Sequence, residues 1–286
     1  MTFRELEKEL TSKLEAVYDT AEATAIIRYV LDANAVVLRD EKDGEAVVDD
    51  ELAVYIFELL PRLLKMEPVQ YVTGLSWFCD LKLKVTPDVL IPRPETEELV
   101  YKIKDQTDKM NCRILDIGTG SGCIALGLKK MFPEATVTGI DISEEALTLA
   151  RTNARMLRLA VNFHQLDIFN YQHHMDFMHT YERFDIIVSN PPYIPVSDKI
   201  TMNSNVLLYE PHIALFVNDD DDLVYYRHIA DFARIFMDST GRIYFEVHQQ
   251  RVDEVKALLT EKEFIHIKAS TDISGNNRFV EAQVGP

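Results

Sequence analysis

Apolar residues recur at helical spacing through the first third of the chain. Phe3, Leu6, Leu10, Leu14 and Val17 stand three or four residues apart, with Glu and Lys between them. That period predicts an amphipathic helix. Thr2 followed by Glu5 predicts a capping box at its start. A second stripe runs Ala23, Ile26, Ile27, Val30 and Leu31. A third runs Leu52, Ile56, Leu59, Leu60, Leu63 and Leu64, and Asp49 and Asp50 mark its beginning. Each stripe needs an apolar partner face, so a small antiparallel helical bundle is expected. Residues 41–44 read as a polar turn.

The period changes at Pro68. Residues 70–73 and 77–85 read as short strands, with Leu81, Leu83 and Val85 alternating with Lys82 and Lys84. A hairpin joining two domains follows, with Trp77 in its core. Pro92 and Pro94 then stiffen the backbone and open a helix that runs at least to Tyr101. From residue 112 strand and helix patterns alternate. Strands are expected at 113–117, 135–140, 161–166, 184–189, 242–247, 265–269 and 279–284, and helices at 123–131 and 143–157. This alternation predicts an α/β fold with a Rossmann-like, mostly parallel sheet. The last two strands are close in sequence, with a turn-rich link at 272–277, which predicts an antiparallel final pair. The expected organisation is a helical domain at 1–70, a hairpin linker at 71–90 and a larger α/β domain at 91–286.

Composition adds limits. With 286 residues, 47% apolar and 27% charged, the chain has the balance of a globular protein of one or two domains. Lys and Arg number 30 against 47 Asp and Glu, a net charge of −17. Such a chain repels a phosphate backbone, so no direct nucleic-acid partner is expected and a basic protein partner fits better. Cys79, Cys112 and Cys123 form no C-x-x-C pair and read as small core residues. The N-terminus lacks a basic stretch followed by an apolar core, and no apolar run approaches membrane length. The expectation is therefore a cytoplasmic protein with no membrane partner.

The segment Asp116-Ile117-Gly118-Thr119-Gly120-Ser121-Gly122 follows a predicted strand and opens a helix. Glycines there permit a tight turn and close approach of a ligand. No Lys follows, so this is not a phosphate-gripping loop. Asp141 closes the next strand, where a carboxylate can accept from both hydroxyls of a ribose. Asp167 closes the third, and with Ile168 beside it can meet the amine and the flat face of an adenine. These three points leave NAD and S-adenosylmethionine both open. His164, His173, His174 and His179 cluster in sequence, yet no metal site is expected, because converging carboxylate or thiolate ligands are missing from the pattern. The run Asp219 to Asp222 reads as a solvated loop or a helix cap before Leu223.

Asn190-Pro191-Pro192-Tyr193 narrows the choice. It directly follows a predicted strand, and carboxyl ends of strands face the ligand crevice in such sheets. The Asn190 side-chain oxygen and the Pro191 carbonyl can both accept from one planar NH2 group, with Tyr193 stacked on its face. An amide or aromatic amine is a poor nucleophile because its lone pair is delocalised. Two acceptors on its hydrogens stabilise the positive charge that develops as it attacks a methyl group. Placing nitrogen, methyl carbon and sulfonium sulfur in line does much of the rest.

With these motifs in view, the sequence resembles the peptide-chain release factor glutamine N5-methyltransferases, the HemK/PrmC type. The resemblance covers Glu67-Pro68-Val69-Gln70-Tyr71 with Gly74, the segment Ile91-Pro92-Arg93-Pro94-Glu95-Thr96-Glu97, the glycine turn, Asp141, Asn190-Pro191-Pro192-Tyr193, and Tyr209-Glu210-Pro211 with Ala214-Leu215. It implies an S-adenosylmethionine-dependent methyltransferase domain behind an N-terminal domain that helps hold the substrate protein. The substrate it implies is the glutamine of the Gly-Gly-Gln loop of class I release factors, and the second product S-adenosylhomocysteine. Gly118, Thr119, Gly120, Ser121 and Gly122 would wrap the methionine part and ribose of the cofactor. Asp141 would bind the ribose, and Asp167 with Ile168 would flank the adenine. Asn190 would face both cofactor and substrate; Pro191, Pro192 and Tyr193 would complete the glutamine site, with the segment from Arg93 to Glu97 lining the same crevice. Asn190, Pro191 and Tyr193 are the candidate catalytic residues. Glu246 matches an acid of the family, with His248 where relatives carry glycine; Asp272, Gly275 and Arg278 match its C-terminal turn. N6-adenine DNA methyltransferases share the Asn-Pro-Pro-Tyr loop and form the rival reading. They need a basic face or a target-recognition insert, and this chain offers neither. A methyltransferase fold that only binds a partner is a second rival, opposed by the intact motifs.

Overall fold

The structure, a computed structural model, describes residues 1–34, 45–173 and 183–285. The polar turn expected at 41–44 lies outside them, as do His174 and His179. The chain divides into two compact units, Met1–Leu75 with Asn203–Tyr209, and Ser76–Met202 with Glu210–Pro286.

The first unit is helical. Helices α1 (Phe3–Leu14), α2 (Thr20–Ala33) and α3 (Asp50–Leu63) turn their stripes onto one shared core that includes Leu6, Leu10, Ile27, Leu31, Ile56 and Leu63. The capping box at Thr2 and Glu5 forms, and Asp19 and Asp49 cap the next two helices. Residues 70–73 are not a strand. They belong to a short helix α4 (Val69–Thr73), started at Pro68 and stopped by Gly74 in the left-handed region at φ 70°. Arg62 donates to the carbonyls of Tyr71 and Val72 at 3.1 and 3.2 Å, supplying donors that a sheet neighbour would otherwise provide. The hydroxyl of Tyr209, which ends a later helix in this unit, donates to the Lys65 carbonyl at 2.9 Å.

The second unit starts at Ser76, inside the hairpin of β1 (Leu75–Phe78) and β2 (Leu81–Lys84). Its inner face takes Ser76 and Phe78, so the two-residue period turns Trp77 outward, 37% exposed, rather than into the core. Lys82 Nζ sits 5.6 Å from the Trp77 ring centroid. Helix α5 (Pro94–Asp105) follows, with Pro94 in its first turn.

Next come strand β3 (Arg113–Ile117), helix α6 (Cys123–Met131), strand β4 (Thr136–Asp141), helix α7 (Glu144–Leu157), strand β5 (Asn162–Gln165) and strand β6 (Phe184–Ser189). Short strands β7 (Ile194–Pro195) and β8 (Phe216–Val217) pair with each other, and α8 (Ser204–Tyr209) lies between them in sequence. Helix α9 (Val224–Phe236), strand β9 (Met237–Glu246), helix α10 (Val252–Glu261) and strands β10 (Phe264–Thr271) and β11 (Asn277–Val284) close the chain.

The main sheet has seven strands in the order β10-β11-β9-β6-β3-β4-β5. Strands β5, β4, β3, β6 and β9 run parallel; β11 pairs antiparallel with both β9 and β10. The expected Rossmann-like architecture with an antiparallel end is therefore present. Ile, Val and Leu fill β3 and β6 almost without alternation, because helices cover both faces of the sheet. One core holds Ile187, Phe232, Ile243 and Phe245, the other Ile114, Leu126, Val137 and Tyr244. Cys79 and Cys112 are buried, and burial pushes the Cys79 thiol up to about 12. Among the described residues no helix is long and apolar enough to cross a membrane.

Candidate functional site

A cleft opens at the carboxyl ends of β3, β4 and β6. Its walls come from 88–93 and Thr96, the turn after β3, Asp141 to Ser143, Leu166 to Phe169, Ser189 to Pro192, Ile213, Ala214 and Tyr225. Its empty volume is about 1150 Å³, including the part open to solvent, which is room for a nucleoside-sized ligand and the end of a side chain.

The glycine turn is tied to the neighbouring strand. The N–H groups of Gly118 and Thr119 donate to the Ile140 carbonyl at 2.9 and 3.0 Å. Gly120 adopts φ 53° and its N–H donates to Asp141 Oδ2 at 2.8 Å. Asp141 Oδ1 accepts from the Ser143 N–H at 3.0 Å. Helix α7 is capped by the Ser143 hydroxyl, so the Asp141 carboxylate is left at the cleft wall instead of serving as the cap. Burial raises its pKa, and the backbone donors oppose that rise.

Beneath the turn lies Asp116, fully buried. Its Oδ2 accepts from Thr119 Oγ1 at 2.6 Å and from the Ala125 N–H at 3.2 Å, while its Oδ1 and the buried Ser121 hydroxyl have no partner among the described residues. Burial pushes Asp116 up to about 7.

Asp167 and Ile168 form the next wall. The Asp167 carboxylate accepts from the Phe169 N–H at 2.9 Å and from Asn170 Nδ2 at 2.7 Å. The Phe169 ring stands 4.9 Å from Tyr225 and 4.8 Å from His228, making an apolar corner beside Ile142 and Ile168.

Asn190, Pro191 and Pro192 also line the cleft. The parallel register pairs Ser189 with Phe245, so the next residues along, Asn190 and Glu246, leave their strands side by side. Asn190 Nδ2 donates to Thr96 Oγ1 at 3.1 Å, and Thr96 Oγ1 donates to Glu246 Oε2 at 2.7 Å. The Tyr193 hydroxyl donates to the other oxygen, Oε1, at 3.2 Å. Glu246 is 2% exposed; burial raises its pKa, while Thr96, Tyr193 and nearby Arg278 hold it down. Burial and the Glu246 charge push the Tyr193 phenol upward, so it stays a donor. Arg278 is itself held by Asp272 at 3.2 Å.

Arg93 also lines the cleft, fixed by Glu210, whose Oε1 accepts from it at 2.5 Å and whose Oε2 accepts from the Ile91 N–H at 3.3 Å. Three candidate residues stand outside the lining. Gly122 begins α6 at φ 82°, packed where a Cβ would come within 3.2 Å of Ala150 Cβ. Tyr193 stands behind the loop on Glu246. Glu97 turns to the hairpin, where its carboxyl accepts from the Cys79 backbone and burial raises its pKa. Thr96, its neighbour in α5, takes the place facing the cleft. Tyr225 carries no motif signal of its own; Thr96 lies inside the crevice-lining segment 93–97 and Phe169 beside Asp167 and Ile168, and neither is singled out by its residue type.

Asp219 to Asp222 do more than meet solvent. Asp219 accepts from the Ser197 N–H at 2.9 Å, Asp221 pairs with Arg227 at 2.5 Å and Asp222 with Arg251 at 2.5 Å. Among the described residues no three His, Cys, Asp or Glu side chains converge as metal ligands.

A seven-stranded sheet with this antiparallel end, a glycine turn after its first parallel strand and an acid closing the next define a methyltransferase domain. Residues 108–265 match the family described as a methyltransferase domain. A methyltransferase from Pyrococcus furiosus superposes with a TM-score of 0.51 over 83% of this chain and 100% of that one at 15% identity, a likeness of fold. A release factor glutamine methyltransferase of Bacteroides thetaiotaomicron is 43% identical over 77% of this chain and 77% of its own length. One from Flavobacterium psychrophilum is 35% identical over 98% of this chain and 99% of its own. The chain belongs to the release factor glutamine methyltransferase family. Enzymes of this family are S-adenosylmethionine-dependent methyltransferases.

Proposed function

We propose that this protein transfers a methyl group from S-adenosylmethionine to the side-chain amide nitrogen of the glutamine in the Gly-Gly-Gln loop of class I release factors, in the cytoplasm. The carrying observation is the Asn190-Pro191-Pro192 loop in the same cleft as Asp141 and the glycine turn, with the Asn190 NH2 group already committed to Thr96. The N-terminal helical unit, read as 1–70 and joined through the hairpin at 71–90 to a catalytic domain at 91–286, would help hold the release factor.

The residues present suit the cofactor. A Cβ at Gly118 or Gly120 would meet nothing within 4 Å, so the backbone there is open to a ligand, and Ser121 and Asp116 keep unpartnered polar atoms beneath it. Asp141 would take the ribose hydroxyls. Asp167, with the Ile168–Phe169–Tyr225 corner, would take the adenine. Bound there, the sulfonium supplies an electrophilic methyl group and a neutral thioether leaving group.

The chain's own contribution is placement and charge stabilisation. Asn190 Oδ1 and the Pro191 carbonyl accept from the two amide hydrogens and stabilise positive charge as it grows on nitrogen. Pro191 and Pro192 keep those acceptors rigid. Tyr193, anchored on Glu246, braces the loop from behind. An N-methylated, protonated amide is strongly acidic and gives its proton to water, so no dedicated base is required. The net charge of −17 disfavours a duplex DNA substrate.

The test uses labelled S-adenosylmethionine with a release factor, its loop Gln→Ala variant, or duplex DNA. Label on the release factor alone is expected. Equal label on the Gln→Ala variant, or label on DNA, would overturn the assignment.

A further inference from the structure

The hydrogen bonds behind the Asn190 loop have a fixed direction. Glu246 is held by two hydroxyl donors, Thr96 at 2.7 Å and Tyr193 at 3.2 Å. A threonine hydroxyl has one proton, and here that proton goes to the carboxylate. Thr96 Oγ1 can then only accept, and what it accepts from is Asn190 Nδ2 at 3.1 Å. An asparagine amide has two ends, a donor and an acceptor. With the donor end drawn back to Thr96, the acceptor end is turned away from it. A flipped amide would set an N–H against the substrate's own N–H.

We propose that Glu246 and Thr96 form a relay that locks the Asn190 side-chain amide in its acceptor-forward orientation, making both of them positioning residues for methyl transfer. The inference rests on the glutamine-methylation reading above and explains why a carboxylate is buried at this place. Glu246 grips both ends of the Asn190–Tyr193 loop at once. One oxygen acts on Asn190 through Thr96, the other acts directly on Tyr193. Arg278, in turn fixed by Asp272, supplies the nearby positive charge that keeps such a buried acid in place. The geometry needs the sheet register: Ser189 opposite Phe245 places the two residues that follow at one height.

Thr96→Val and Thr96→Ser separate a relay from packing. Valine keeps the shape and loses the hydroxyl; serine keeps the hydroxyl and loses a methyl group. If Thr96 only fills space in its site, where it is 2% exposed, valine is the better substitute. The relay predicts the reverse order. Thr96→Val should lower kcat by about 10- to 100-fold, the scale for a misplaced catalytic group, and Thr96→Ser should recover most of that loss. The cofactor Kd, measured by calorimetry on the same samples, should move less than about twofold in both, since Thr96 is bonded to Asn190 and Glu246 while the glycine turn and Asp141 are held by each other and by Ile140 and Ser143. Glu246→Gln retains an acceptor for Thr96 and should lose less kcat than Glu246→Leu, with melting curves recorded to confirm that each variant is folded. Wild-type enzyme that leaves the release-factor glutamine unmethylated overturns both readings. Wild-type enzyme that methylates it, with Thr96→Val equal to or better than Thr96→Ser, overturns the relay alone.

Discussion

The Gly120 N–H donates to Asp141 Oδ2 at 2.8 Å, joining the turn after β3 to the end of β4. Asp141 Oδ1 is held in the same way by Ser143. Backbone donors thus hold both oxygens, so the direction of the carboxylate is fixed by the turn and by the start of α7. Asp141→Ala removes both the ligand acceptor and the brace on the turn. Cofactor affinity is expected to fall by about 10- to 100-fold, or about 1.4–2.7 kcal/mol, in isothermal titration. Affinity within twofold of wild type would separate Asp141 from cofactor binding.

Asn190→Ala should act on rate more than on binding. Loss of one preorganised acceptor is expected to cost about 10²–10³-fold in kcat. Single-turnover transfer of labelled methyl groups measures this, with the melting temperature as a control. Undiminished turnover would take Asn190 out of the mechanism.

Gly122 predicts a stability effect with no direct chemistry. Its φ of 82° disfavours any side chain, and an added Cβ would press on Ala150, Leu126 and Phe163 at 3.2–3.3 Å. Gly122→Ala should lose about 1–3 kcal/mol in urea denaturation through left-handed backbone strain and overpacking. An unchanged midpoint would show that the start of α6 relaxes freely.

Asp116 predicts a pH dependence. Burial raises it from an ordinary 3.8 to about 7, so the folded protein holds this proton more tightly than the unfolded chain does. Its contribution to stability is complete below the unfolded value and is lost as pH climbs through the folded one. Asp116→Asn keeps the acceptor for Thr119 and Ala125 but cannot ionise. The variant should therefore gain on wild type as pH rises from about 4 to about 7 and level off above that, measured as the difference in urea midpoints. A constant difference across that range would mean that Asp116 does not titrate there.

Much of the second unit was legible from periodicity. Strand β3, helix α6 and strand β6 follow directly from apolar runs bounded by turn residues, because parallel strands buried on both faces leave that trace. The region after Pro68 misled for a local reason: Val69 to Thr73 is too short to show a helical period, and its end is set by Gly74 and Arg62. Trp77 falls outside the hairpin core because the two-residue alternation turns it outward. In the cleft, Asp141, Asn190, Pro191 and Arg93 were readable from motifs, and the structure brings them to one place. Thr96 and Glu97 are adjacent in sequence, and only the rotation of α5 decides which faces the cleft. The tie of Glu246 to Asn190 depends on strand register, which no local pattern in either segment records.

Strand β6 lies between β3, made before it, and β9, made after it. A nascent chain that has emerged as far as Pro192 already contains the glycine turn, Asp141, Asp167 and the acceptor loop. It still lacks Glu246, the partner of Thr96 and Tyr193. Synthesis runs from the N-terminus, and long-range strand pairing comes late in folding. Tyr225, which completes the corner at Phe169, also follows Pro192, so neither that corner nor the brace on the Asn190 loop exists until the later part of the chain has been made.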